Sequence, residues 1–158
     1  MAGMLILFGL LPWLSPKRFE VGTFRSTYLY IMLIIISLLA YTYALVLWAA
    51  LLRPVRIDLA ITGGVYVMFA LLGNVMGKVR RNFYIGIRTP WTLANERVWY
   101  ATHRFGGKTF VVAGLAGLLL TALDTPSWML TSVLIAACVV PVAYSLIFYK
   151  RLERRGEL

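Results

Sequence analysis

Long apolar runs alternate with short polar segments along the chain, and this alternation predicts membrane-spanning helices. A helix needs about 20 apolar residues to cross the ~30 Å hydrocarbon core of a bilayer. Three runs meet that length, and a fourth reaches it if the helix starts at Phe105 and Lys108 extends its ammonium group to the interface. The opening run would rise only ~20 Å as a helix, so we expect it to form a short first span. The predicted spans are residues 2–14, 27–52, 57–76, 105–123 and 128–149.

The composition agrees with a membrane protein and excludes an ordinary soluble domain. Of the 158 residues, 61% are hydrophobic, and the mean hydropathy is +0.80. The formal net charge of +10 is grouped between the apolar runs, which suits membrane topology better than nucleic-acid binding. The single cysteine, Cys138, excludes an intrachain disulfide and a cysteine metal cage. We therefore predict an all-α, polytopic membrane helix bundle of about five spans, which forms a single domain over residues 1–158.

The basic residues indicate which end of the bundle faces the cytoplasm. If the first span ends inside, the inner segments hold 14 of the 16 lysine and arginine residues, and the outer segments hold only Arg53 and Arg56. Because cytoplasmic loops carry the excess of Lys and Arg, this distribution predicts an N-terminus outside and a C-terminus inside. The four longer spans have no ionisable residue near their centres, which disfavours ion-coupled transport.

The inner loop between spans three and four, residues 78–108, concentrates the residue types that the spans exclude. Its seven basic residues are interleaved with six aromatic ones. We expect the loop to lie along the inner interface, with its rings among the headgroups and its cations near phosphates. Membrane topology would accept any basic loop, whereas arginine, tryptophan and paired glycines favour a shaped recognition surface.

The same loop predicts a turn followed by a helix. Gly86 permits a bend and Pro90 disfavours a helix before it, so residues 82–91 are expected to be irregular. An amphipathic helix of about three turns should then lie at the inner interface between spans three and four. Its expected N-cap is Thr92 or Asn95, and its expected end is Gly106 or Gly107 in a left-handed conformation.

Candidate chemistry in the chain is sparse. His103 is the only histidine, and Glu96 lies seven residues before it, or ~10 Å along a helix, which is too far for a direct acid–base pair. Zinc takes three or four His, Cys or carboxylate ligands, and only His103 and Glu96 are at hand, so we predict no metal site. We also predict no cofactor and no catalytic residue. Asn74 is a polar exception near the inner end of the third span. It suits either a hydrogen bond to another helix or a ligand site.

The loop and its flanks resemble the SdpI family of bacterial membrane proteins. The shared signature reads approximately G-N, a lysine, N-x-x-x-G-I-R-T-P-W-T-L, E-x-V-W, T-H-R and G-K. The resemblance implies a location in the bacterial cytoplasmic membrane. It also implies the role of the family's namesake, which protects a cell from a secreted peptide toxin and holds a transcriptional repressor at the membrane. The matching residues are Gly73, Asn74, Lys78, Asn82, Gly86, Ile87, Arg88, Thr89, Pro90, Trp91, Thr92, Leu93, Glu96, Val98, Trp99, Thr102, His103, Arg104, Gly107 and Lys108.

Longer members of the family carry an extra N-terminal span and an outer segment, so this chain is expected to be a short form. We expect a non-enzymatic protein of the immunity or signalling type, with a peptide toxin, a protein regulator or anionic lipid headgroups as partners. Two alternatives stay open: an enzyme acting on a lipid phosphate, with His103 as general acid or base, and an accessory subunit of a larger membrane complex. The expected binding residues are Asn74, Lys78, Asn82, Gly86, Arg88, Thr89, Pro90, Trp91, Thr92, Glu96, Trp99, His103, Arg104 and Lys108.

Overall fold

The computed structural model describes residues 3, 6 and 10, 25–52, and 55–158, and these residues form an all-helical protein. No strand occurs among them, so the predicted all-α class is confirmed. The helices are α1 (Arg25–Leu51), α2 (Ile57–Met76), α3 (Pro90–Ala94), α4 (Glu96–Ala122) and α5 (Ser127–Arg154).

Four helices, α1, α2, α4 and α5, are long and apolar enough to cross a membrane. They contain 27, 20, 27 and 28 residues, and each includes most or all of one predicted span. The predicted short first span, residues 2–14, lies outside the described residues except for three isolated positions.

The predicted division between an interface helix and a fourth span is wrong, because α4 is one continuous helix from Glu96 to Ala122. Gly106 and Gly107 lie inside it and do not end it. They are buried at helix contacts: a Cβ on Gly106 would approach Ile87 Cδ1 to 2.9 Å, and one on Gly107 would lie 2.7 Å from the Gly73 carbonyl oxygen. Close approach, rather than a left-handed conformation, accounts for glycine at these positions.

The start of α4 matches one of the two predicted N-caps. Asn95 is its N-cap, and the Asn95 side chain accepts hydrogen bonds from the backbone N–H groups of Arg97 and Val98. Thr92, the alternative, belongs to α3, where it pairs with the N-cap Thr89 in a capping box.

Helix α4 is central in the bundle, since it packs on α2 on one side and on α5 on the other, while α1 packs on α2. The contact between α2 and α4 depends on glycine. A Cβ on Gly73 would lie 2.6 Å from the Gly107 carbonyl oxygen, and one on Gly114 would lie 2.6 Å from the Ala70 nitrogen. The two backbones therefore touch, as small residues permit in membrane helices.

At the end of the bundle opposite the segment between α2 and α3, an exposed ion pair joins two connecting segments. Arg56 Nη1 lies 2.6 Å from Asp124 Oδ2, which links the segment before α2 to the turn after α4. The hydrogen bond from Arg56 lowers the pKa of the Asp124 carboxyl. Because both side chains are well exposed, the pair contributes little to stability.

Candidate functional site

The segment between α2 and α3, residues 77–89, is a folded loop organised by Asn82. The Asn82 side chain is fully buried. Its Oδ1 accepts the backbone N–H groups of Tyr84 and Ile85, both at 2.7 Å, and its Nδ2 donates to the carbonyls of Arg80 at 2.7 Å and Ile85 at 3.1 Å. Because its donors and its acceptor are all engaged, Asn82 shapes the loop and does not present an amide to a ligand.

Two threonines fix the passage from this loop into α3. Thr89 and Thr92 form the capping box, and Pro90 occupies the first helical turn, where its missing N–H costs nothing. The Thr92 hydroxyl, which is fully buried, also lies 2.8 Å from the Ile87 carbonyl oxygen. The expected irregular segment therefore ends at Thr89, one residue before the helix begins.

His103 anchors the loop to α4 with both of its ring nitrogens. The backbone N–H of Ile87 donates to Nε2 at 3.0 Å, and Nδ1 lies 2.8 Å from the Trp99 carbonyl oxygen. A carbonyl requires a donor and an N–H requires an acceptor, so the imidazole is neutral, with its proton on Nδ1. The ring is fully buried, and neither nitrogen is left for a substrate or a metal.

Gly86 is required beside this histidine. Its φ is +117°, and a Cβ at this position would lie 2.2 Å from His103 Nε2. Both the backbone conformation and the space therefore exclude a side chain.

Trp99 is the second anchor, one helical turn before His103. Its ring stacks on the imidazole with the centroids 4.0 Å apart, and its Nε1 donates to the Val79 carbonyl at 2.8 Å. The expectation that Trp99 reaches the headgroups is wrong, because its side chain is fully buried. Glu96, another expected binding residue, is exposed at the first turn of α4.

Trp91 joins α3 to α5. Its Nε1 donates to the Ser145 hydroxyl at 2.7 Å, and that hydroxyl donates to the Val142 carbonyl at 2.6 Å. Arg88 is exposed, and its guanidinium donates to the Phe83 carbonyl within the loop. Helix α4 thus holds the loop, and α5 holds the helix α3 that follows it.

The remaining predicted residues are exposed and lie together where α2 meets α4. Gly73 touches Gly107, and a Cβ on Gly77 would lie 3.8 Å from Arg104 Cα, so the two helices run antiparallel at this contact. Positions next to the contact on each helix then point to the same side of the pair. We call the exposed side chains there the inner basic face, after the side of the membrane that the sequence predicts for them: Asn74, Lys78, Arg104 and Lys108.

The inner basic face carries three positive charges. Within residues 25–52 and 55–158, no carboxylate lies within ion-pair distance of any of them. Arg104 can bind a carboxylate or phosphate through two parallel hydrogen bonds, and the lysines add point charges beside it. This surface can therefore recognise an anionic group.

The comparisons with known proteins match the part of the chain that carries this loop. Residues 78–145 match the model of the SdpI/YfhL protein family. We call residues 78–145 the SdpI/YfhL-family region, because they are similar to that family's model. The chain is also 36% identical, over 101 residues, to the "Immunity protein SdpI" of Bacillus subtilis (strain 168). That match covers 63% of this chain and 49% of the relative, so the chain spans about half of its length.

No solved structure matches the chain. The family resemblance inferred from the loop motif is confirmed. The SdpI/YfhL-family region begins at Lys78, includes the loop, α3 and α4, and ends at Ser145 within α5.

Sequence reasoning missed the role of Ser145, which receives Trp91 and is fully buried within α5. A hydroxyl inside an apolar span needs a partner, and that requirement was the available signal. The partner itself was not deducible, because Trp91 lies 54 residues away in the sequence.

Proposed function

We propose that this chain is a non-enzymatic, multi-pass membrane protein of the immunity and signalling type. In this role it protects the cell against a membrane-active peptide toxin, holds a protein regulator at the inner leaflet, or does both. The SdpI/YfhL-family region and the four apolar helices support the proposal. The name of the Bacillus subtilis relative, an immunity protein, supports the same class.

The observation that carries the proposal is that the residues of the predicted site fall into a buried group and an exposed group. The buried group forms hydrogen bonds within the protein through its polar side-chain atoms, and its members are Asn82, Thr92, Trp99 and His103. The inner basic face stays exposed beside them. A rigid scaffold that presents unpaired cations is typical of a recognition surface, because its backbone loses little entropy on binding.

The hydrogen bonds of His103 favour this proposal over an enzyme acting on a lipid phosphate. A general acid or base must reach the substrate with a free nitrogen. Both nitrogens of His103 are engaged by backbone groups of Ile87 and Trp99.

The proposed orientation places the inner basic face in the cytoplasm, with the C-terminus inside. Among the described residues, the end of the bundle that carries Arg56 has no other lysine or arginine, while the loop, the start of α4 and the end of α5 lie at the opposite, strongly basic end. This asymmetry follows the positive-inside rule.

The proposal is tested in toxin-sensitive bacteria that lack their own immunity protein and express this chain. Cells with the parent chain should survive challenge by the peptide toxin, and a Lys78→Ala/Arg104→Ala variant should lose at least most of that protection. The matched control is Arg25→Gln/Arg80→Gln, which also removes two exposed charges but leaves the inner basic face intact. Membrane fractionation verifies that all three proteins are inserted equally.

A parallel pull-down from gently solubilised membranes tests the regulator. A specific protein should copurify with the parent and the control and be lost from the Lys78→Ala/Arg104→Ala variant. If that variant equals the parent in both survival and copurification, the inner basic face has no recognition role. Migration of the parent with a large complex on native gels would instead favour an accessory subunit.

A further inference from the structure

A second basic surface lies on the last turns of α5, which contributes no residue to the inner basic face. It borders a shallow, open groove of about 550 Å³ among side chains at the end of α5 itself. The groove is lined by two apolar and four basic side chains: Leu146, Ile147, Lys150, Arg151, Arg154 and Arg155.

The spacing of these residues places them on one stripe of the helix. They occur in adjacent pairs that repeat every four residues, so each pair lies one turn beyond the previous one. Leu146 and Ile147 are both exposed at the start of the stripe, and the four cations follow. The stripe therefore changes from apolar to cationic within one helical turn.

The length of α5 places that change near the boundary of the hydrocarbon. Its 28 residues rise about 42 Å, which exceeds the ~30 Å hydrocarbon core. The last turns of α5 therefore reach the headgroup level, with Leu146 and Ile147 on the acyl-chain side of the cations.

The two carboxylates near the groove pair with other cations and not with the three arginines of the groove. Glu153 pairs with Lys150 at 2.7 Å, and Glu157 pairs with Arg97 of α4 at 3.3 Å. In the part of the chain that the structure describes, Arg151, Arg154 and Arg155 have no carboxylate within ion-pair distance. All three are exposed.

We propose that this groove binds an anionic phospholipid. The guanidinium groups of Arg151 and Arg155, which lie one turn apart, hold the phosphate, and an acyl chain lies along Leu146 and Ile147. Arginine suits the phosphate because its planar donors bind two oxygens at once. A lipid fits the groove better than free phosphate does. The groove joins apolar side chains to cations at the membrane boundary, and a lipid joins acyl chains to a phosphate at the same level.

The test uses the full-length protein, purified in mild detergent, stripped of lipid and titrated in native mass spectrometry. The probes are phosphatidylglycerol, phosphatidylcholine and inorganic phosphate. The test variant is Arg151→Gln/Arg155→Gln, and the matched control is Arg25→Gln/Arg80→Gln, which removes the same charge from other exposed sites at the basic end. Thermal melting in detergent verifies that both variants are folded.

We expect the parent and the control to retain phosphatidylglycerol about tenfold more tightly than phosphatidylcholine. The Arg151→Gln/Arg155→Gln variant should lose that preference. Equal affinity of the parent for the two lipids would overturn the proposal, and so would an equal loss in both variants, which would mean that net charge alone attracts the lipid. Displacement of phosphatidylglycerol by millimolar inorganic phosphate would reject the lipid as the ligand in favour of a soluble anion.

Discussion

The backbone N–H of Ile87 donates a hydrogen bond to Nε2 of His103 at 3.0 Å, across a separation of 16 residues. This bond ties the loop between α2 and α3 to the side of α4. The only histidine of the chain is therefore a structural anchor in the fold. Its loss would leave the partly buried N–H of Ile87 without a partner, which costs about 1 kcal/mol.

Replacing Gly86 by alanine should destabilise the loop by more than its backbone angle alone explains. Gly86 and Gly156 both have positive φ, at +117° and +66°. An added Cβ meets His103 at Gly86 and nothing within 4 Å at Gly156. We expect Gly156→Ala, in the αL region, to cost about 1 kcal/mol. Gly86→Ala should cost at least twice that, because φ +117° lies outside the αL region and the new Cβ also displaces His103. Unfolding by SDS in mixed micelles measures both, and equal losses would contradict the described contact.

The hydrogen bond from Trp99 to Val79 can be removed while an aromatic ring is kept. Trp99→Phe should lower the free energy of unfolding by about 2 kcal/mol, since it leaves the Val79 carbonyl unpaired and creates space in the core. Trp128→Phe is the control, because Trp128 is 70% exposed and should change stability by less than about 0.5 kcal/mol. Limited proteolysis should cleave the loop faster in the Trp99 variant only. Similar behaviour of the two variants would refute the role of Trp99 as an anchor.

The glycine contact between α2 and α4 predicts opposite outcomes for two glycines in apolar helices. Gly114→Ala should destabilise the protein by about 2 kcal/mol, because the new Cβ would lie 2.6 Å from the Ala70 nitrogen and force the helices apart. Gly63→Ala should be neutral or slightly stabilising, since its nearest neighbour would be 3.9 Å away and alanine favours helix. The same unfolding measurement compares them. A neutral Gly114→Ala would show that the helices do not touch there.

A double-mutant cycle measures the bond between Trp91 and Ser145. Trp91→Phe and Ser145→Ala each remove one partner of the hydrogen bond at 2.7 Å. The double variant should be about 1 kcal/mol more stable than the sum of the single losses predicts, because the same bond cannot be lost twice. A coupling energy of zero would mean that α3 is not held to α5 through this pair.

The features set by local sequence were predictable. Apolar runs of sufficient length predicted four helices, and one of the two predicted N-caps, Asn95, marks the start of α4. Gly106 and Gly107 were misread because a glycine that ends a helix and one that lets two helices touch look alike in sequence. Their neighbours, Gly73 and Pro141, come from other helices.

The candidate site was predicted as a set of residues, but not as two groups with different roles. The motif brought His103 and Arg104 together as neighbours in sequence, while the fold buries one and exposes the other. Which side of α4 faces the loop depends on long-range contacts such as Ile87 to His103. Periodicity within a single helix does not carry that information.

The loop is fastened to α4 through its main chain, at the Val79 carbonyl and the Ile87 N–H, and not through its outward side chains. Its shape is therefore insensitive to the identity of exposed residues such as Arg80. The identity of those residues can vary while the fold of the loop persists, so one architecture of this kind can carry surfaces of different charge and shape.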